Sequence, residues 1–329
     1  MQVFQNLDHI PAAAQNAVMV IGNFDGLHKG HQSLILHAKE EAKKHNLPCG
    51  LLTFSPHPRL FFQPDCAPFL LTNLDQKLDL LKPLDLDFIG VESFDTDFSL
   101  FSPKDFVEKI LVQKYKVKTC IVGENFHFGH KKQGCITDLK RFGQDYGFSV
   151  FDMALQKQNH DAQRIYSSTQ ARAAIAEADF KTATDILGWD WFIRSPVIKG
   201  DQRGRALGYP TANQSVDHSI LPPYGIYAVR ASIDHGQTWY HAVANLGIRP
   251  MFAVDDPLLE THIFDFDQDI YGHVLDVQPV AFLRAEMTFD TLDDLVTQMD
   301  RDSQHAREIL TLKYPHDNNV TSKAQTHAS

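Results

Sequence analysis

The chain has 329 residues, of which 43% are hydrophobic and 22% are charged, and its formal net charge is −10 at pH 7. This length exceeds what a single hydrophobic core usually serves, so we expect about two domains of roughly 150 residues each. The acidic balance argues against a large nucleic-acid-binding surface, because such affinity comes from Lys and Arg side chains that neutralise phosphates. Small anionic ligands in local pockets are compatible with it.

The cysteines and the absence of targeting patterns indicate the compartment. The cysteines are far apart, form no Cys-x-x-Cys pair and are interpreted as buried thiols of a reducing compartment; they are Cys49, Cys66, Cys120 and Cys135. No apolar run approaches the roughly 18 residues that a membrane-spanning helix needs, and no signal-peptide pattern is visible. We therefore expect a cytoplasmic protein without a membrane partner, and its oligomeric state is left undetermined.

Strand and helix patterns alternate in the first half of the chain. Short apolar runs predict buried strands at residues 18–21, 50–54, 88–91, 120–122 and 149–151. Helices are predicted for residues 33–45 and 104–115, the second with Ser102 as its N-cap and Pro103 at its first position. This alternation predicts an α/β domain with a parallel sheet, which we place at residues 1–187.

The pattern changes after about residue 188 to alternating segments rich in β-branched and aromatic residues. These segments predict a small antiparallel β-barrel and lie at residues 226–233, 239–245, 258–264 and 274–282. An amphipathic stretch then predicts one helix packed on the barrel; its apolar residues are Leu292, Leu295, Val296, Met299, Ala306, Ile309 and Leu310. We place this domain at residues 188–314 and expect a disordered polar tail at residues 315–329.

A glycine-rich turn between the first buried strand and a helix carries the first chemical pattern. Its residues are Gly22, Asn23, Phe24, Asp25, Gly26, Leu27, His28, Lys29, Gly30 and His31. Glycines let backbone approach a ligand, and a helix N-terminus offers N–H groups and partial positive charge to phosphate. His28 and His31 are spaced so that both can donate to a nucleotide α-phosphate during phosphoryl transfer. The alternative is a tight connection with incidental histidines.

This turn resembles the His-x-Gly-His signature of the nucleotidylyltransferase superfamily, in the longer form of its FMN adenylyltransferase branch. Further segments are similar to that branch in the same order: residues 53–58 with His57, residues 123–129 with Asn125, and residues 167–172 with Ser168, Thr169 and Arg172. The resemblance implies a Rossmann-like domain in which the last segment holds ATP phosphates and the middle one lies beside the flavin. Taken singly, these residues are also typical of helix caps and loops.

A second pattern lies in residues 199–213, where glycines and basic side chains precede a proline-fixed turn. It is typical of a mobile anion-binding flap. The alternative is a β-hairpin with a solvated basic tip. The residues expected to bind a ligand are Gly200, Arg203, Gly204, Arg205, Gly208, Pro210, Thr211 and Asn213.

This second run is similar to the riboflavin kinase motif that ends in Gly-x-Pro-Thr-Ala-Asn. The resemblance implies that Thr211 and Asn213 hold Mg²⁺ with the ATP phosphates, a role that suits hard neutral oxygen ligands. It also implies that Glu260, in a Glu-x-His pattern, is the catalytic base for the terminal ribityl hydroxyl, and that Arg284 contributes to ligand binding. On its own, a Glu in an alternating strand is more often solvated. Met251 and Ser195 depart from the family pattern.

Together the resemblances cover residues 18–312 and imply a bifunctional enzyme of FAD biosynthesis. The implied fold is α/β plus β: a Rossmann-like nucleotidylyltransferase domain with a parallel sheet, then a small antiparallel Greek-key β-barrel with a C-terminal helix. The substrates and products would be ATP, riboflavin, FMN and FAD, with Mg²⁺ as cofactor. One alternative is an FMN adenylyltransferase with a non-catalytic flavin-binding C-terminal module, and another is a flavin carrier. The intact Glu260 argues against the first, and His28 and Arg172 argue against the second.

Overall fold

The computed structural model describes residues 1–7, 9–154, 157–158, 161–200, 208–248 and 257–317. By their internal contacts the residues form two compact units. The first holds Met1–Ala67 and Leu74–Ser168, and the second holds Pro68–Asn73 and Thr169–Ser329. The sequence-based domain limits at residues 1–187, 188–314 and 315–329 stay a prediction.

A six-stranded parallel sheet forms the centre of the first unit. Its strands are β1 (Gln2–Gln5), β2 (Val18–Ile21), β3 (Cys49–Ser55), β4 (Phe88–Ser93), β5 (Thr119–Gly123) and β6 (Ser149–Met153). They lie in the order β1-β4-β3-β2-β5-β6, and each neighbouring pair is parallel. The strands predicted from the apolar runs are confirmed. The sequence patterns missed β1, because Phe4 is its single buried residue and no apolar run marks it.

The central strands of this sheet are buried on both sides. Val18 and Val20 of β2 belong to the core on one side, whereas Met19 and Ile21 belong to the core on the other. Successive side chains of a strand face opposite sides of the sheet, so both sets must be apolar. This double burial explains why the strands read as continuous apolar runs in the sequence.

Helices lie between these strands, as the alternation predicts. They are α1 (Lys29–His45), α2 (Pro58–Phe62), α3 (Leu74–Leu81), α4 (Thr96–Ser99), α5 (Pro103–Asp105) and α6 (Ile136–Tyr146), with 3₁₀ turns at Ala12–Ala14, Lys82–Leu84 and His130–Lys132. Ser102 caps α5 as predicted, because its Oγ accepts a hydrogen bond from the Asp105 N–H at 3.1 Å. The predicted helix is present, and beyond that point Phe106–Lys114 form a π-helix. Apolar spacing over nine residues does not distinguish these two helix types.

The second unit contains a closed β-barrel. Its strands are β9 (Ile193–Ile198), β10 (Ala212–Ser215), β11 (Gly225–Ser232), β12 (Tyr240–Ile248), β13 (Pro257–Ile263) and β14 (Val274–Arg284). Their order around the barrel is β10-β13-β12-β11-β14-β9, and β9 pairs with β10 to close it. In the first unit, a hairpin of β7 (Lys157–Gln158) and β8 (Asp161–Ile165) precedes the helices α7 (Ser168–Ala176) and α8 (Phe180–Leu187) in the chain. The predicted fold class, α/β plus a small antiparallel barrel, is confirmed.

A terminal helix, α9 (Leu292–Lys313), packs on the barrel as predicted. Ala306 and Leu310 of α9 share a buried cluster with Ala228 and Val280 of the barrel. The stripe of apolar residues in the sequence therefore corresponds to a real contact face. Among helices in the described ranges, none has both the length and the low charge that crossing a bilayer requires.

The short segment Pro68–Asn73 belongs to the second unit, although its neighbours in the chain belong to the first. The Trp191 indole N–H donates to the Leu71 carbonyl at 2.9 Å, and the Arg172 Nε donates to the Phe69 carbonyl at 2.7 Å. No local pattern in the sequence indicated this placement, because the partners are more than a hundred residues away.

All four cysteines are free thiols. Cys49 and Cys120 are buried, as expected, but Cys66 and Cys135 are partly exposed, so the interpretation of four buried thiols is wrong for these two. Cys135 is the N-cap of α6, at a helix end where the backbone meets solvent, and its Sγ donates to the Asp138 carboxylate at 3.2 Å.

Candidate active sites

The histidine turn (residues 22–31) joins the end of β2 to the start of α1 with an unusual backbone. Phe24 and Leu27 have positive φ angles of 48° and 38°, and Gly26 has a φ of 79°. Left-handed backbone is unfavourable for residues other than glycine and persists where the surrounding structure fixes it. Such strain is concentrated at functional sites, so the turn is a candidate by geometry as well as by sequence.

His28 is the N-cap of α1, which begins at Lys29 and thus four residues before the predicted start. Its Nδ1 accepts a hydrogen bond from the His31 backbone N–H at 3.3 Å. The neutral imidazole therefore carries its proton on Nε2, which is a donor. The two rings stack with their centroids 3.6 Å apart and 21° between their planes.

A cavity of about 220 Å³ opens beside these histidines. It is lined by His28 and His31 together with Gly22, Gly30, Asn125 and Ser167. The Ser168 hydroxyl donates to the Asp25 carbonyl at 2.8 Å, which holds Ser168 against the histidine turn within the first unit. The structure thus brings together most of the predicted nucleotide-binding residues of the first unit.

A second cavity of about 850 Å³ adjoins the first. Its walls are largely phenylalanine and include Phe54, Phe62, Phe94, Phe98, Phe126 and Phe128. Gly22, Asn125 and Phe126 line both cavities. A flat aromatic ligand in the larger cavity can therefore extend a substituent into the smaller one.

Basic side chains border the aromatic cavity. Arg59, Lys131 and Lys132 line it, as do His57 and Asn23. His57 is the N-cap of α2, and its Nδ1 accepts from the Arg59 N–H at 3.1 Å. These cations can balance the charge of an anionic ligand. The lysines carried no signal in the sequence beyond following the segment that contains Asn125.

Thr169 and Arg172 lie in the second unit, on α7. Arg172 follows Ser168 by one helical turn, as the Ser-Ser-Thr-x-x-Arg spacing requires. Its guanidinium also lies over the Phe69 ring, 5.4 Å from the centroid. The grip of Thr169 and Arg172 on ATP phosphates stays a prediction.

The second unit has a cavity of about 490 Å³ at β10. Pro210, Thr211 and Asn213 line it, together with Asp267 and Asp269. The Asn213 Nδ2 donates to the Thr211 carbonyl at 3.3 Å, so the two predicted ligands are held together. Both residues therefore face a space in which a nucleotide can lie.

Glu260 lies beside Asn213 in the barrel. It is the register partner of Asn213 on β10 and of Asn245 on β12. Partners across a ladder share a face, so the three side chains form one polar row. Leu259 and Thr261 face the other side of β13 and are buried. Glu260 is itself partly buried, unlike a solvated outward residue.

Asn245 was quoted within a family match, but the sequence assigned it no role. Its Oδ1 is buried and has no hydrogen-bond partner within the described part of the chain. A buried acceptor without a partner costs stability, which is tolerated where a ligand supplies the missing donor. Its position opposite Glu260 makes it a functional candidate.

His262 and Tyr209 fix the residues before β10; both lie within the quoted motifs, but the sequence assigned neither a role. The His262 Nδ1–H donates to the Pro210 carbonyl at 2.8 Å. Burial lowers the pKa of His262, so the neutral ring is favoured. The Tyr209 hydroxyl bonds to Asp300 of α9. Together these contacts hold the residues that lead into Thr211.

The remaining predicted residues of the flap are only partly described. A Cβ at Gly200 would lie 2.5 Å from the Asn213 Nδ2, so a larger residue here would displace the Asn213 side chain. Gly208 has a φ of 83°. Arg203, Gly204, Arg205 and Met251 lie outside the described residues.

Arg284 pairs with a carboxylate of α9. Its Nη2 lies 2.7 Å from the Asp302 Oδ2, and its Nε also donates to this carboxylate. Ser195, which departs from the family pattern, lies in β9, where its carbonyl accepts from the Gln214 Nε2 at 2.9 Å. The predicted ligand-binding role of Arg284 stays a prediction.

Known proteins resemble both halves of the chain. Residues 10–170 match the family model for FAD synthetase, and residues 187–310 match the model for riboflavin kinase. A bifunctional riboflavin kinase/FMN adenylyltransferase from Haemophilus influenzae is 36% identical over 307 residues, which cover 93% of this chain and 98% of that protein. Its counterpart from Escherichia coli K12 is 35% identical over 316 residues, covering 96% of this chain and 100% of that protein.

A solved structure shows the same fold. It is a crystal structure described as a macrolide-efflux protein from Streptococcus pneumoniae, with a TM-score of 0.77 and 30% sequence identity. The match covers 93% of this chain and 99% of that one.

Proposed function

The chain belongs to the family of bifunctional riboflavin kinase/FMN adenylyltransferases, and we propose that its two reactions take place at the two groups of residues described above. The FAD synthetase and riboflavin kinase domains make it a transferase with two activities. One phosphorylates riboflavin with ATP to give FMN. The other transfers AMP from a second ATP to FMN, which gives FAD and pyrophosphate.

Adenylyl transfer is assigned to the two adjoining cavities of the first unit. In this assignment the α-phosphate of ATP lies at His28 and His31, and the flavin ring lies among the phenylalanines. The observation that carries it is the shared lining: Gly22 and Asn125 border both cavities. An FMN phosphate that extends from the aromatic cavity therefore reaches the histidines.

The chemistry of this step requires alignment more than a base. An FMN phosphate oxygen forms a bond to the α-phosphorus, and the bond from that phosphorus to the pyrophosphate oxygen breaks. The attacking phosphate is already ionised at neutral pH, so no proton has to be removed. The Nε2–H of His28 donates to the α-phosphate oxygens as charge accumulates there, and the N-terminus of α1 adds backbone dipoles.

Riboflavin phosphorylation is assigned to the polar row of the barrel. Glu260 accepts the proton of the terminal ribityl hydroxyl. The hydroxyl oxygen forms a bond to the γ-phosphorus of ATP, and the bond between that phosphorus and the ADP oxygen breaks. Asn213 lines the nucleotide cavity and is the register partner of Glu260, which supports placing the base beside the phosphate donor, although Glu260 itself is not among the described residues that line this cavity. The buried Oδ1 of Asn245 accepts a hydrogen bond from the substrate.

The cofactor in this proposal is Mg²⁺ bound with ATP. Among the described residues, no three His, Cys, Asp or Glu side chains are grouped to hold a metal by themselves. Thr211 and Asn213 supply neutral oxygens, which fit an ion that keeps phosphate and water ligands. When bound, the ion offsets negative charge on the phosphates.

We also propose that the protein acts in the cytoplasm on small molecules, without a nucleic-acid or membrane partner. Its four free thiols are compatible with a reducing compartment. Its net charge of −10 disfavours binding to nucleic acid.

The proposal is tested by incubating the protein with riboflavin and Mg-ATP and separating FMN from FAD by chromatography. We expect both products from the wild type. Glu260→Ala should lower FMN formation by about 100-fold or more, yet convert supplied FMN to FAD. His28→Ala should accumulate FMN, with FAD formation lowered by about 100-fold.

Exposed residues of the same types provide matched controls: Glu308→Ala in α9 and His45→Ala in α1 should keep both activities. Absence of both products from the wild type would refute the enzyme assignment. Unchanged FMN formation by Glu260→Ala would instead show that Glu260 is not the catalytic base.

A further inference from the structure

Lys77 is a buried cation of the first unit that no sequence pattern indicated. It lies on α3 with 5% of its surface exposed. Its Nζ donates to the Asn23 carbonyl at 2.7 Å and lies 3.5 Å from the Thr53 Oγ1. Thr53 donates to the same carbonyl at 3.2 Å. Two side chains from separate elements therefore hold one peptide oxygen of the histidine turn.

The position of that peptide bears on the strained backbone of the turn. Asn23 directly precedes Phe24, whose φ is 48°, and Leu27 follows with a φ of 38°. A strained turn keeps its shape when its peptide groups are fixed by strong contacts. A hydrogen bond from an ammonium group is stronger than one between neutral groups. The contact from Lys77 is therefore suited to holding the turn that ends in His28.

A side chain that served only to pack this part of the core would be expected to be apolar. Burying an ammonium group costs free energy, which its hydrogen bonds and a nearby negative charge offset only in part. Asp25 is such a charge and is itself buried, with 3% of its surface exposed. The buried charge of Lys77 therefore destabilises the fold to some extent, and it lies next to the histidine turn.

We propose that Lys77 is a positioning residue for adenylyl transfer: its ammonium group fixes the Asn23 peptide and so places His28 against the α-phosphate of ATP. The inference rests on the proposed role of the histidine turn. Lys77 itself contacts protein groups rather than the reacting atoms, so it acts through the turn.

Removal of the charge gives the first test. Lys77→Met should lower kcat for conversion of FMN to FAD by about tenfold or more, because misplacement of a catalytic group by a fraction of an ångström weakens catalysis strongly. Riboflavin phosphorylation by the same preparation should be unchanged. Lys82→Met is the matched control, since Lys82 lies close by in the chain with 67% of its side chain exposed. Unchanged FAD formation by a folded Lys77→Met enzyme would overturn the inference.

The pH dependence gives a second test that does not require a destabilising variant. Burial lowers the pKa of Lys77 to about 8, and the charge of Asp25 opposes this effect. Wild-type FAD formation from FMN should therefore fall as the pH rises through about 8, while riboflavin phosphorylation serves as the reference. Lys77→Arg stays charged in this range and should lose the alkaline decline.

A purely structural lysine would change the melting temperature without this difference in the pH profile. Identical alkaline profiles of the wild type and Lys77→Arg would overturn the inference, whether or not Lys77→Met folds. If the wild type itself makes no FAD from FMN, the proposed function fails instead, so the two failures are distinguishable.

Discussion

At the residue scale, the geometry of the first site depends on how closely Gly30 approaches His28. A Cβ at Gly30 would lie 3.1 Å from both Nδ1 and Cε1 of His28 and 3.4 Å from the Tyr166 carbonyl oxygen. The His28 ring has little freedom to move away, because it stacks on His31 and caps α1. The glycine of the His-x-Gly-His pattern is thus explained by the space that the first histidine occupies.

We expect Gly30→Ala to displace the His28 ring and to lower conversion of FMN to FAD by about tenfold or more. Riboflavin phosphorylation measured on the same sample should be unaffected. Glu40→Ala, at an exposed position of α1, controls for substitution in this helix. Full FAD formation by Gly30→Ala would show that His28 tolerates the added methyl group.

At the element scale, the docking of α9 on the barrel includes a buried histidine. His241 of β12 is 1% exposed, and its Nε2–H donates to the carbonyl of Tyr314 at the end of α9. Burial lowers the pKa of His241, although the Tyr314 contact and the charge of Asp317 oppose this effect. The folded state therefore binds fewer protons than the unfolded chain at mildly acidic pH, so folding stability rises with pH in that range.

We expect the second unit to lose stability as the pH falls below about 6.5, the ordinary pKa of histidine. His241→Gln keeps a donor for the Tyr314 carbonyl but does not titrate, so its melting temperature should fall less between pH 6.5 and about 5.5. The measurement is thermal unfolding at each pH, in which about 1 kcal/mol corresponds to 2–4 °C for a domain of this size. His305→Gln, at an exposed position of α9, should retain the wild-type pH dependence. If the melting temperature of His241→Gln fell with pH as much as that of the wild type, His241 would not be the source of this pH dependence.

At the scale of the whole molecule, the two sites are assigned to different compact units. The adenylyl-transfer cavities are lined by residues of the first unit, and the nucleotide cavity of the barrel is lined by residues of the second. FMN is the product of one site and the substrate of the other. A molecule that lacks one activity should therefore still supply or consume FMN for another molecule.

We expect an equimolar mixture of His28→Ala and Glu260→Ala to convert riboflavin to FAD, whereas each variant alone should make little FAD from riboflavin. The first variant releases FMN, and the second adenylylates it. Chromatography of the time course measures this, with supplied FMN as the positive control for the second variant. If FMN accumulates in the mixture without FAD, the second variant does not retain adenylyl transfer and the assignment of Glu260 to phosphorylation alone is wrong.

The sequence by itself determined the fold class and the principal candidate residues. Apolar periodicity predicted the central strands of the sheet, most strands of the barrel and α9, because these patterns depend on residues close together in the chain. His28 and His31 were recognisable for the same reason, since a strand, a turn and a helix start fall within about a dozen residues. Glu260 required the family resemblance, because one Glu in an alternating strand is not distinctive.

Only the tertiary structure decided which distant residues support these sites. Lys77 meets Asn23 across 54 positions in the chain, and Asn245 faces Glu260 from a neighbouring strand. The placement of Pro68–Asn73 in the second unit likewise depends on partners far along the chain. Such contacts arise from strand order, register and packing, and they leave no periodic pattern in the local sequence.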